Sequence, residues 1–125
     1  MRLSEKLEQL KGLCWVYHRQ YKQLFEIHKG TWHDQPKGKK LWGDKGILLT
    51  EVIGILRSLE SKKEDFRGVD NVRIYDTLHE LFVTASRNIG SQMDNLPNAA
   101  SALENATKYA KGNEKKINQI LGEKF

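Results

Sequence analysis

Residues 3–30 read LSEKLEQLKGLCWVYHRQYKQLFEIHKG. Leu3, Leu7, Leu10, Cys14, Tyr17, Tyr21, Leu24 and His28 follow a 4-3-4-3 spacing, the pattern of a long helix that buries one seam against other helices. Leu13 and Phe25 widen the stripe. Ser4, with Leu3 before it and Glu5 and Glu8 after it, supplies a start signal, and Gly30 a stop. A helix this long with one apolar seam needs several partners, so the rest of the chain must supply them.

Downstream periodicity supplies three. Asp44 caps a second helix running through ILLTEVIGILRSLE to about Lys62. Ile47, Leu48, Val52, Ile53, Ile55, Leu56 and Leu59 cover most of its circumference. Its β-branched residues also allow a strand, but its length and i/i+4 spacing favour helix. Asp70 caps a third helix through Gly90, with Val72, Tyr75, Leu78, Phe82, Ala85 and Ile89 at helical spacing. Pro97 suits the first turn of a fourth. Ala99, Leu103, Ala106 and Ala110 form its thin stripe, which Ile117, Ile120 and Leu121 continue beyond Gly112. The expectation is an all-α chain: one domain over residues 1–125, folded as an antiparallel four-helix bundle with a long basic loop between helices 1 and 2.

That loop, residues 30–46, reads GTWHDQPKGKKLWGDKG and holds two of the three tryptophans, Trp32 and Trp42. Lys37, Lys39, Lys40 and Lys45 outnumber Asp34 and Asp44. Cations beside flat aromatic faces suit phosphate backbones and stacked bases, and equally an acidic protein surface. The competing reading folds both indoles back over the helical core.

Composition bounds the function classes. The chain has 125 residues, 38% apolar and 30% charged, with no apolar run near the roughly 18 residues that span a bilayer. MRLSEKLEQL lacks the apolar region of a signal peptide and Cys14 is the single cysteine, so a cytoplasmic, reducing location is expected. The net charge of +5 is unevenly spread. Residues 1–45 hold 10 Lys/Arg against 5 Asp/Glu, residues 46–107 hold 6 against 9, and residues 108–125 hold 5 against 2. Basic ends around an acidic middle favour an anionic partner or an oriented self-association. Lys108, Lys111, Lys115, Lys116 and Lys124 read either as a solvated helix face or as a phosphate-contacting stripe. Arg19, Lys22 and Lys29 repeat along the first helix, and adjacency of first and last helices would merge the two sets.

Catalytic signals are thin. Arg73 and His79 have the R-x(4–6)-H spacing of HEPN-type ribonucleases, in which a cation steadies the phosphate and an imidazole moves protons, but Ile74 follows the arginine where a polar residue is usual. DNVRIYDTLHELFVTASRNIGS also resembles the phosphoacceptor helix of histidine phosphotransfer domains, with Phe82 and Val83 in place of the motif's lysine and glycine. The alternative for His79 is an imidazole bonded to a neighbouring residue. Cys14 and His18 share a face and His28, His33 and Asp34 lie near the helix end, without a four-ligand metal spacing. Gly38, Gly43 and Gly46 make neither a Walker loop nor a dinucleotide fingerprint, and no cofactor is expected.

The order of segments carries one further resemblance. PKGKKLWGDKGILLTEVIGILRSL, then Ser86-Arg87-Asn88, then KINQILGEKF, resembles the small basic four-helix-bundle family that includes the accessory variability determinant of diversity-generating retroelements. WGDK at residues 42–45 stands for that family's turn, and Leu121-Gly122 for its closing pattern, here without the second glycine or the tryptophan. The resemblance implies a non-enzymatic accessory protein, homo-oligomeric, that binds a reverse transcriptase and nucleic acid through basic surface.

The sequence therefore predicts a non-catalytic bundle that binds nucleic acid (RNA or DNA), a protein partner, or both. Arg19, Lys22, Trp32, Lys37, Lys39, Lys40, Trp42, Lys45, Lys115 and Lys116 are its expected contact residues. The alternatives are a protein-only adaptor or inhibitor using the Trp/Lys loop, and a HEPN-like or phosphotransfer-like protein using His79.

Overall fold

The structure, a computed structural model, describes residues 2–28, 36–91 and 95–122, and the regular structure there is wholly helical. The order is α1 (Leu3–His28), α2 (Pro36–Ser61), a 3-10 turn (Lys63–Asp65), α3 (Val69–Gly90), α4 (Leu96–Gly112) and α5 (Glu114–Leu121). No described helix is long and apolar enough to cross a membrane. Helix α1 packs on α2 and α4, and α3 packs on the same two, with α5 continuing from α4.

Two elements differ from the sequence expectation. Helix α2 starts at Pro36 instead of Asp44, so residues 36–46 are helical rather than part of a long loop. Proline at a helix start is already set to φ near −65° and loses no bonded N–H, and Lys37, Lys39, Lys40 and Leu41 are good helix formers. The glycines at 38, 43 and 46 mask this, since each costs about 1 kcal/mol relative to alanine in a helix interior. What offsets them is burial: Leu41, Lys45, Leu48, Val52, Ile55 and Leu59 form an unbroken 4-3-4-3-4 seam, every member buried. Residues 29–35 lie outside the described set. The second difference is at the far end, where Asn113 breaks the helix and α5 forms a separate short element.

Elsewhere most periodic residues land as read: Tyr75, Leu78, Phe82, Ala85 and Ile89 of α3 are buried, as are Ala99, Leu103, Ala106 and Ala110 of α4. Val72 does not: it is exposed and Ile74 takes its place in the α3 core, and Ile47 of α2 is exposed as well. Small alanines on α4 let α1 and α3 approach it closely. Phe82, Leu7, Leu10, Leu78 and Leu103 are among the largest fully buried side chains, each contributing roughly 1.5–3 kcal/mol of apolar burial. Gly68, at φ 91°, makes the turn into α3 that a side-chain-bearing residue would strain. Asp70 sits in α3's first turn, one residue inside the helix, where its charge complements the dipole.

Helix lengths then decide the shape that matters for function. Helices α1 and α2 have 26 residues each, against 22 in α3 and 17 in α4. The buried thiol of Cys14 donates to the Leu96 carbonyl oxygen at 3.3 Å, so the first residue of α4 lies beside the middle of α1. Arg2 pairs with Glu114 at 2.9 Å, placing the start of α1 beside the start of α5. On the other side Lys45 reaches Ser91, the residue after α3. Residues 15–28 of α1 and 36–44 of α2 therefore run on past the ends of α4 and α3 as a two-helix arm. Leu24 and Leu41 form a small buried cluster in the arm, and Tyr17 and Tyr21 pack against both this cluster and the body core.

Candidate nucleic-acid or partner interface

One stripe of α1 shows what the overhang does. Ser4, Glu8 and Lys11 precede Trp15, His18, Lys22 and Phe25 at alternating four- and three-residue steps, so all share one face. Along the shared length α4 covers that face: Ser4 is buried and Glu8 accepts from Lys111 of α4 at 3.0 Å. Past Leu96, Trp15, Lys22 and Phe25 are exposed, Trp15 by 40% and Phe25 by 44%, while His18 is part-buried with its Nδ1 shielded from solvent. Trp15 meets His18 edge-on at 5.9 Å and Phe25 stacks on Tyr21 at 5.9 Å, with exposed Lys22 on the same face between the two pairs. Helix α2 repeats the arrangement. Its α3-facing stripe runs Trp42, Gly46, Leu49, Ile53, Leu56, and Leu49 reaches Gly90, the last residue of α3. Trp42, two steps before that contact, stays 42% exposed.

The arm is also the basic end of the molecule. Residues 15–46 hold seven Lys/Arg against three Asp/Glu. Arg19, Lys22, Lys39 and Lys40 are exposed, and the ion pairs among the described residues include none of them. Arg2, Lys6 and Lys111, at the opposite end of α1 and on α4, are instead paired with Glu114, Glu51 and Glu8. Lys111's hydrogen bond and charge hold the Glu8 carboxyl below its ordinary value of 4.5. The corner between α2 and α3 is balanced as well: residues 57–76 carry five cations and five acids.

Between the arm's helices lies an open cleft of about 380 Å³ lined by Gln20, Gln23, Leu24, Ile27, Lys40, Leu41 and Asp44. Leu24 and Leu41 form its apolar floor, and Lys40 with Asp44 its polar edge. Burial between α1 and α2 pushes the Tyr17 phenol above 10.0, with Asp44 and Glu51 adding to the effect.

Not every expected residue joins this surface. Lys45 does not: it is only 4% exposed and occupies a seam position of α2. Its ammonium donates to the Ser91 carbonyl at 2.9 Å and lies 3.8 Å from the centre of the Trp42 ring. A buried lysine committed to a helix-terminal carbonyl and to the inner side of a half-exposed indole does not contact an external phosphate. Lys115 and Lys116 are exposed on α5, beside the start of α1. Seventeen helical residues separate Arg2 from Arg19, about 25 Å, so the α5 lysines do not merge with the arm. Trp32 and the Lys37 side chain lie outside the described residues. Trp15 and Phe25 are what sequence reading missed. Phe25 looked like part of the buried stripe, and only the short reach of α4 exposes both.

His79 sits on α3 with Nε2 3.0 Å from Glu60 Oε1 of α2, its ring stacked on Tyr75 at 5.5 Å. Arg73 is six residues earlier, 240° around the helix, and therefore on another face. Among the described residues no group of three His, Cys, Asp or Glu side chains is placed to hold a metal ion.

No protein-family model, curated protein or solved structure matches this chain.

Proposed function

We propose that the chain is an antiparallel four-helix bundle whose α1–α2 pair is prolonged into a basic arm, and that it is a non-catalytic accessory module binding nucleic acid through that arm. The observation that carries this reading is charge segregation. Residues 15–46 hold seven Lys/Arg against three Asp/Glu, and Arg19, Lys22, Lys39 and Lys40 there are exposed and outside the ion pairs among the described residues, whereas residues 57–76 balance five cations with five acids. Such a local excess makes a positive field, and polyanions bind such fields by releasing condensed counterions.

Half-exposed indoles beside these cations favour nucleic acid over a purely ionic protein partner, because bases offer π faces and phosphates offer charge to the same surface. A protein partner with an acidic patch and a pocket for Trp42 is the competing reading. The experiment that tests the proposal is binding of the purified chain to labelled RNA and DNA across a salt series, repeated with Lys39→Glu/Lys40→Glu. Affinity that falls steeply with salt, and a shallower slope in the double variant, support the arm as a phosphate site. No binding at low salt would remove nucleic acid and leave the protein partner.

A further inference from the structure

The arm presents aromatic faces on the sides that α3 and α4 would cover if they were longer. On α1 the exposed residues of that stripe are Trp15, Lys22 and Phe25, and on α2 the corresponding position is Trp42. Helical rise puts Trp15 and Phe25 about 15 Å apart along α1, with Lys22 on the same face between them. Aromatic, cation, aromatic is thus the order along the surface. Arg19, one residue round the helix, adds a second exposed charge.

A duplex uses only part of such a surface. Its bases are stacked inside and its outside is phosphate, so lysines alone would serve and three large apolar rings would stay wet. Unpaired bases expose π faces that settle on indole and phenyl rings regardless of sequence, while the cations track the backbone. We infer that the arm is a binding surface for single-stranded nucleic acid, with Trp15, Phe25 and Trp42 as stacking positions and Arg19, Lys22, Lys39 and Lys40 as backbone contacts. This rests on the reading of the arm as a nucleic-acid site and adds to it the strandedness and the residues that read it.

The test compares the full chain with its Trp15→Ala and Phe25→Ala variants, each at an exposed position and each checked for an unchanged helical spectrum. Ligands are a labelled single-stranded 20-mer, the duplex of the same sequence, and heparin as a polyanion without bases. The expected result is tighter binding of the single strand than of the duplex or heparin. Each variant should then lose roughly five- to hundredfold affinity for the single strand alone, with the salt slope unchanged. Equal affinity for all three ligands, with no effect of either variant, would overturn the stacking proposal and keep the arm as a general polyanion site. Binding to none of the three at low salt would overturn both.

Discussion

The Lys45 ammonium donates to the Ser91 carbonyl oxygen at 2.9 Å, tying the point where α2 leaves the body to the end of α3. A cation there meets the negative end of the α3 dipole and satisfies a carbonyl that has no further turn of helix to bond it. Trp42 lies over the same ammonium at 3.8 Å. Lys45 is therefore a structural residue at the root of the arm, although the sequence reading placed it among the phosphate contacts.

Lys45→Met keeps most of the buried stem and removes the donor. It should lower stability by about 1–3 kcal/mol, the usual effect of losing a hydrogen bond from a charged donor, as a shift of the urea midpoint. The salt slope of nucleic-acid binding should not change. A shallower slope with full stability would return Lys45 to the binding surface.

The arm should open separately from the body. Its buried residues are Leu24 and Leu41, which Tyr17 and Tyr21 link to a body centred on Phe82, Leu78 and Leu103. Leu41→Ala is expected to speed amide exchange in residues 15–28 and 36–44 while leaving the urea midpoint nearly fixed. Phe82→Ala should lower global stability by about 3–5 kcal/mol. Equal global losses from the two variants would mean that arm and body form one cooperative unit.

Much of the fold was legible because seams of buried residues keep helical spacing in α1, α3 and α4. The start of α2 was not, since Gly38, Gly43 and Gly46 weaken propensity while Leu41 and Lys45 hold the helix through tertiary burial. Of the candidate site the sequence made the charges legible: Lys39, Lys40, Arg19 and Lys22 are exposed, as contact residues would have to be. Its aromatic half was hidden. Phe25 lies next to a core stripe in sequence, and its exposure depends on where α4 begins, a relation between two distant segments that local periodicity does not carry.

Alkaline pH should destabilise the fold through two tyrosines. Burial raises both Tyr17 and Tyr75 above 10.0, with Asp44 and Glu51 adding to the first, and Glu60 and Asp76 to the second. The unfolded chain gives up these protons first, so stability present below pH 10.0 is lost as pH rises towards the folded-state values. Absorbance at about 295 nm should show both phenols titrating late, and Tyr17→Phe with Tyr75→Phe should flatten the loss. Ordinary titration of all four tyrosines would contradict this.

The two groups of cations should behave differently in binding. Arg19→Ala/Lys22→Ala should reduce the salt slope by about 1.4–1.8, the counterions of two phosphate contacts. Lys115→Ala/Lys116→Ala, on α5 beside the opposite end of α1, should change it little. A reversed ranking would move the contact surface to α5.

The most direct measurement of the central claim is hydrogen–deuterium exchange of the full chain with and without a saturating single-stranded oligonucleotide. The account predicts protection confined to residues 15–28 and 36–45, with α3 and α5 unchanged. Protection centred on α5 or on the corner between α2 and α3, or no protection at a concentration that saturates binding, would contradict it.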